Sequence, residues 1–291
     1  MPCPATCRRW WRSVSSTAGN SAVIAAGQRR YQHRDPLFWL AAACSAVIVA
    51  FILVPLVEMM TQPTVAALKE TLMDRDVIRS IRLSMVTAGA AAVISLVFGT
   101  PLAYLLARHR FPGKKILESI IDLPIMIPHP VVGIALLSIA GRNHPIGRLM
   151  QAVGIEIMGT VTGLIAVLTF VGLPFYINTV KAGFAEISPR LEHVSRSLGA
   201  SAGATFFRVT LPLAWRHMVV GGIMCMARAV SEFGAVVIVA YHPMVAPVMI
   251  YERFTAYGLQ YSQPVAVWLI LVCLVLFLLL RVFSLDRKAA A

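Results

Sequence analysis

The sequence predicts an all-α membrane protein of six transmembrane helices, and three observations carry that prediction. Of its 291 residues, 58% are hydrophobic and 13% charged, whereas soluble domains hold about 45–50% apolar and about 25% charged residues. Several apolar runs reach the roughly 20 residues that a helix needs to cross about 30 Å of hydrocarbon. The Lys and Arg residues gather in alternate connections, the pattern that sets membrane orientation. Helices follow because each segment can satisfy its own backbone hydrogen bonds in lipid.

In chain order, residues 1–36 read as a basic cytoplasmic tail, 37–283 as the transmembrane domain with a large cytoplasmic loop at 183–212, and 284–291 as a second tail. Residues 1–34 lack the apolar core of a signal peptide, so the tail is expected to be retained. Its RRWWR cluster at 8–12 suits either an interfacial anchor or a disordered basic segment. The apolar runs place spans at 37–60, 81–107, 116–140, 160–182, 213–240 and 264–283. Between the first two, residues 64–80 alternate charged and apolar residues at helical spacing, which predicts a short helix on the external surface.

Span three contains LPIMIPHP, with Pro124, Pro128 and Pro130. Proline removes a backbone donor and kinks or breaks a helix, and the freed carbonyls need protein or a cavity beside them. This span is expected to face the bundle interior, with an ordinary proline kink as the plainer alternative. His129 reads as a packing or hydrogen-bonding residue, because no second ligand stands at a metal-binding spacing. Residues 241–263 carry Tyr241, Tyr251, Phe254, Tyr257 and Tyr261. They suit an aromatic belt with a short surface or re-entrant helix, or a docking surface for an external partner.

With the N-terminus inside, eighteen of the 26 Lys and Arg residues fall on the cytoplasmic side, seven outside, and Arg228 lies deep in a span. The net charge of +13 therefore reports topology rather than nucleic-acid binding: both termini are expected in the cytoplasm, with the chain multi-pass in the plasma or inner membrane. The five cysteines are odd in number and none lies in an expected external loop, so no disulfide framework is implied.

One cytoplasmic stretch, LEHVSRSLGASAGATFFRVTLPLAW at 191–215, interrupts the apolar chain. Ser188-Pro189 is a good helix start. Leu191, Val194 and Leu198 then share one face, and Gly199 stands where a helix ends in a left-handed residue. Ser201 can cap a second helix through Phe206, Phe207 and Val209, which Leu211-Pro212 is expected to stop. Two short helices meeting at a glycine corner would present apolar groups rimmed by charge, the usual mark of a binding surface.

These residues carry a resemblance. The stretch is similar to the cytoplasmic coupling motif of ATP-binding-cassette importer permeases, Glu-Ala-Ala, three residues, Gly, and later Leu-Pro. Aligned on Gly199 and Leu211-Pro212, the Glu-Ala-Ala positions hold His193, Val194 and Ser195, with Glu192 one place early. GLPFYINTVKAGFAEISPRLEHVSRSLGAS (172–201) and ARAVSEFGAVVIVAY (227–241) look like the oxyanion branch serving molybdate, tungstate and sulfate, and APVMIYERFTAYGL (246–259) like its molybdate and tungstate members. The likeness covers most of residues 75–283. It implies a MetI-like fold and a homodimer in the bilayer, each copy clamped by a cytoplasmic ATPase that carries ATP and Mg, with an external binding protein delivering the anion. It assigns ATPase coupling to Glu192, His193, Ser195, Leu198, Gly199, Ala200, Phe206, Leu211 and Pro212. The chain has no Gly-x4-Gly-Lys-Ser/Thr phosphate loop of its own, so no cofactor, metal or catalytic residue is assigned to it.

GASAG at 199–203 fits a nucleophile elbow, but that motif needs a strand before its serine, and helical patterning flanks Ser201. GTVTG at 159–163 can pack helices, a weak signal alone. Arg228 and Glu232, near the middle of span five, would each cost about 2.5–3.5 kcal/mol if alone; four residues apart, they can pair. They read as a structural ion pair, or with Pro128, Ser231 and Gly234 as a translocation path or gate. A stand-alone secondary transporter would explain the spans but not the apolar corner, and shows no inverted repeat. An intramembrane enzyme lacks a His-Glu-x-x-His motif and a second aspartate to partner Asp122.

Overall fold

The structure, a computed structural model, describes residues 36–285 apart from Arg142, with side chains through residue 280. The basic tail with its RRWWR cluster and residues 286–291 lie outside the described residues. The chain divides into two units, Met1–Gln62 and Pro63–Ala291. The first holds α1 (Pro36–Thr61), whose 26 residues rise about 39 Å, enough to cross a bilayer.

The second unit is a helical bundle. Thr64 caps α2 (Val65–Met73), its hydroxyl accepting from the Ala67 N–H. Asp74 ends that helix and starts the next by accepting from the Asp76 N–H. Residues 64–80 are thus not one surface helix: α3 runs Arg75–Arg108 without interruption, so the span expected from residue 81 begins six residues earlier. At 34 residues it is about 51 Å long, and it overshoots the hydrocarbon by several turns.

Among the described residues five single helices are long and apolar enough to cross a membrane, and a bent pair stands where the remaining expected span was placed. The single helices are α1, α3, α7 (Val161–Glu186), α9 (Ala202–Val230) and α12, which runs Leu259–Leu285. The pair is α4 (Lys114–Met126) and α5 (His129–Ala140), bent by 112°. The bend follows from the prolines. Ile127 precedes Pro128 and is forced out of the helical region, with ψ 136°, and Pro128 is itself extended at ψ 128°. Between the spans lie α6 (Pro145–Ala152), α8 (Pro189–Ser197), α10 (Gly234–Val239) and α11 (Ala246–Tyr257). Span five also differs from expectation: α9 ends at Val230, and α10 begins anew after Ser231–Phe233, so Arg228 and Glu232 flank a helix end rather than a mid-helix turn.

Leu211-Pro212 does not stop the helix that Ser201 starts. The turn before it, Phe206–Thr210, is widened to a π turn, and α9 continues. α3 repeats the device, with a π turn at Ser95–Gly99 ahead of Pro101. A proline ring collides with the carbonyl four residues back; one wide turn makes room for it without ending the helix.

α7 is the central helix. It packs on α9, α3, α4 and α10 and buries residues from Gly163 to Phe184. Leu164, Val167 and Val171 gather Ala88, Ala229 and Val236 at one end, while Tyr176, Val180 and Phe184 gather Ala103, Leu106 and Ala214 at the other. In lipid such contacts hold by van der Waals packing and small residues rather than by water exclusion. Polar ties add to them: Asn178 donates to Asp122 at 2.6 Å, and Lys181 pairs with Glu118 at 3.2 Å, holding α4 to α7. In the aromatic 241–263 segment, α11 lays Met249 against Val77 and Val265.

Candidate functional site

The glycine corner is built as its residues dictate. Pro189 opens α8, although the Ser188 side chain makes no capping bond; the fixed φ of proline supplies the start instead. At the other end, Gly199 takes φ +90°, its N–H donates to Arg196 O at 3.0 Å, and the Ala200 N–H donates to Ser195 O at 3.2 Å. This is a Schellman closure, which needs a left-handed residue at that position. Ser201 caps α9 by accepting from the Ala204 N–H at 3.2 Å. Across the corner the Ser195 and Thr205 hydroxyls lie 3.0 Å apart.

Glu192 fastens this corner to the bundle. Its Oε1 accepts from Arg108 Nε at 2.8 Å and from the Thr210 hydroxyl at 3.0 Å, and its Oε2 accepts from the Tyr104 hydroxyl at 3.2 Å. Both members of the Arg108–Glu192 pair are largely buried. Phe206 packs beside them, edge-on to Tyr104 at 4.8 Å and near Phe184 at 6.3 Å. The opposite face of the corner is bare: Leu198 is 83% and Phe207 67% exposed, and Leu191 and Val194 are exposed as well. His193 is exposed, Ala200 and Leu211 are half-buried, and Pro212 is exposed. Arg190, Arg196 and Arg208 rim this surface, all exposed. Sequence reading missed Tyr104, Arg108 and Thr210 as partners, since contacts 88, 84 and 18 residues away leave no local signal.

A second cluster forms where the two helix breaks meet. Arg228 Nη2 donates to Glu232 Oε2 at 2.7 Å and contacts the His129 ring at 2.5 Å. Arg228 Nη1 reaches the Ser231 hydroxyl at 3.4 Å. Glu232, fully buried in its side chain, accepts from the Ala235 N–H at 2.8 Å and so caps α10. The break at Pro128–Pro130 fits against Gly234, where a Cβ would stand 3.2 Å from His129 Cβ and Pro130 Cδ. Gly133 allows equal closeness: its Cβ would meet Ala235 O and Ile238 Cβ at 2.9 Å. Of the path residues read from sequence, Arg228, Ser231, Glu232 and Gly234 come together here with His129, and the exposed Pro128 borders them. His129 is the hydrogen-bonding residue expected from the sequence. Among the described residues no group of three or more His, Cys, Asp or Glu side chains is arranged to hold a metal ion.

Residues 99–288 match the family described as binding-protein-dependent transport system inner membrane component. The chain belongs to that family. As such a component it is 43% identical over 250 residues to a molybdate/tungstate transport system permease protein of Pyrococcus furiosus, covering 85% of this chain and 95% of that one. The corresponding protein of Thermococcus kodakarensis is 41% identical over 88% of this chain and 99% of its own. A probable sulfate transport system permease protein of Chlorokybus atmophyticus is 35% identical over 68% of this chain and 70% of its own. Among solved structures, a chain of a bacterial ABC transporter that imports alginate superposes with a TM-score of 0.69 at 17% identity, covering 87% of this chain and 96% of that one. A chain of the MetNI methionine ABC transporter superposes at 0.56 and 20% identity, over 73% of this chain and 94% of its own. The fold is thus the MetI-like importer-permease fold expected from the coupling stretch, and the chain is a multi-pass membrane protein.

Proposed function

We propose that this chain is the transmembrane permease subunit of an ATP-driven importer of molybdate or tungstate. The observation that carries the reading is the 39–43% identity, over 83–88% of the chain, to four relatives named as molybdate/tungstate transport system permease proteins. The permease works as a homodimer with both termini in the cytoplasm, an orientation supported by the charge distribution. Each copy offers its glycine corner to a cytoplasmic ATPase, which holds ATP and Mg. Leu191, Val194, Leu198 and Phe207 supply the apolar contact, and the arginines around them fix its register.

When ATP closes the ATPase pair, the corners are drawn together. Glu192 passes that displacement to α3 and α9 through Arg108, Tyr104 and Thr210. The Arg228–Glu232–His129 cluster, with Pro128, Ser231 and Gly234, gates the path at the helix breaks. ATP and its hydrolysis thus bias two states of one bundle, as alternating access requires. Selectivity resides largely in an external oxyanion-binding protein, because a path that held the anion tightly could not release it. Sulfate or thiosulfate is the second substrate reading, favoured by the 35% identity to a probable sulfate permease.

The test is ATPase activity of the chain reconstituted with its cytoplasmic partner, with and without an external binding protein loaded with molybdate, tungstate or sulfate. Stimulation by molybdate or tungstate supports the reading, and stimulation by sulfate alone replaces the substrate. Failure of any ATPase to associate would revive an ATP-independent secondary transporter.

A further inference from the structure

The first turns of α3 carry a feature that neither the coupling corner nor the gate uses. Arg79 and Arg82 are exposed and lie three residues apart on one helix face. Two adjoining cavities share Arg79, Leu83 and Pro243 in their walls. One, of about 490 Å³, is bordered by His242 and by Gly159, which takes the left-handed φ of +66°. The other, of about 470 Å³, adds Arg82, Val86 and Val161. Neither guanidinium has an ion pair or side-chain hydrogen bond among the described residues. Arg253 is different, being taken up by Asp74. Asp76 lies on the wall of the first cavity without pairing with Arg79.

Two unpaired planar cations beside concave space call for an anion. A guanidinium presents donors in a fixed fork that matches paired oxygens, and two of them match a doubly charged tetrahedral ion better than a carboxylate. The position near the start of a helix about 51 Å long puts the pair at the mouth rather than in the hydrocarbon. Exposure to water and salt weakens the attraction, which suits an ion that must be passed on.

We infer that Arg79 and Arg82, with His242 beside them, form an acceptor site for a tetrahedral oxyanion at the external mouth of the permease. The inference rests on the proposed orientation and on import. The anion leaves its binding protein, is met by the two guanidinium groups, and moves along the Leu83–Val86 side of α3 toward the bundle.

The experiment uses the full complex of permease, ATPase and binding protein in vesicles, with radiolabelled molybdate. Wild type is compared with Arg79→Gln/Arg82→Gln and with Arg79→Lys/Arg82→Lys. The glutamine pair is expected to lower molybdate imported per ATP hydrolysed about tenfold, with the lysine pair in between. The concentration of loaded binding protein giving half-maximal ATPase stimulation should stay unchanged. A rise in that concentration with an unchanged import ratio would mean that the arginines grip an acidic protein surface, and would overturn the site. So would a difference between wild type and variant seen only in vesicles containing phosphatidylglycerol and not in phosphatidylcholine alone, which would assign the arginines to lipid phosphate. If the glutamine pair does not insert, the lysine pair reads the same ratio. A wild type that imports no oxyanion sinks the import reading itself; a wild type that imports normally beside an unaffected variant sinks the acceptor site alone.

Discussion

Replacing Glu192 with alanine removes a side chain that ties α8 to both α3 and α9. Three hydrogen bonds are lost, to Arg108 Nε at 2.8 Å, to Thr210 Oγ1 at 3.0 Å and to the Tyr104 hydroxyl at 3.2 Å. The larger loss is electrostatic. The Arg108 side chain is 9% exposed and its Nη2 is already buried without a partner, so the variant leaves a charge with no compensation. Breaking a buried pair from one side costs about 3–5 kcal/mol, and because water can reach the corner we take the lower end, about 3 kcal/mol. That is roughly a 150-fold shift toward an undocked α8. Amide hydrogen exchange reads it directly: protection across 189–197 should fall by about that factor while α7 keeps its own. A thermal-unfolding cycle with Arg108→Met should leave the double variant less damaged than the two singles summed, by at least about 1.5 kcal/mol. Unchanged protection at 189–197, or additivity within about 0.5 kcal/mol, would refute the anchoring role.

Three further outcomes are expected. Gly199→Val should uncouple ATP hydrolysis from transport without harming insertion, because φ +90° resists a β-branched residue while nothing lies within 4 Å of the new Cβ; Gly199→Asn, which tolerates that conformation, should remain coupled. Neutralising Arg228 and Glu232 together should destabilise the detergent-solubilised protein less than neutralising either alone, since each single change strands a partner 2.7 Å away, and simple additivity in unfolding would argue against the pair. Burial pushes the Asp74 carboxyl up, but the Asp76 N–H and the Arg253 guanidinium outweigh it and hold it below its ordinary 3.8. The contribution is therefore present above that value and lost as pH falls through the lower folded value, so the melting-temperature advantage of wild type over Asp74→Asn should shrink below about pH 4.

The spans and the corner were legible because their causes are local. Apolar length decides which segments can cross lipid, and Gly199 and Ser201 each act on the backbone within three residues of themselves. The errors arose where a local rule met its tertiary setting. Pro212 reads as a stop, yet the π turn at Phe206–Thr210 absorbs it; the prolines at 128 and 130 read as a kink or a break, and with Ile127 they break the helix and turn the chain by 112°. Ser188 reads as a cap, but Pro189 alone suffices. Glu192, one place out of the family pattern, nonetheless finds Arg108, because α8 presents it toward the end of α3. Its partners lie 84 and 88 residues away in the chain, a distance at which no periodicity or motif reports contact.

One continuous helix joins the corner to the cluster proposed as the gate. Thr210, bonded to Glu192, and Arg228, bonded to Glu232 and His129, both belong to α9. Eighteen residues of helix separate them, about 27 Å, with no loop between the corner and the cluster proposed as the gate. α7 packs along this helix and guides it. At the far end Gly133 and Gly234 let α5 and α10 pack closely against each other beside Arg228. Coupling over this distance requires an element with two arrangements that both sites bias. α9, fastened at one end to an exposed apolar corner and at the other to a neutralised break between packed glycines, is the element on which the proposed coupling places that requirement.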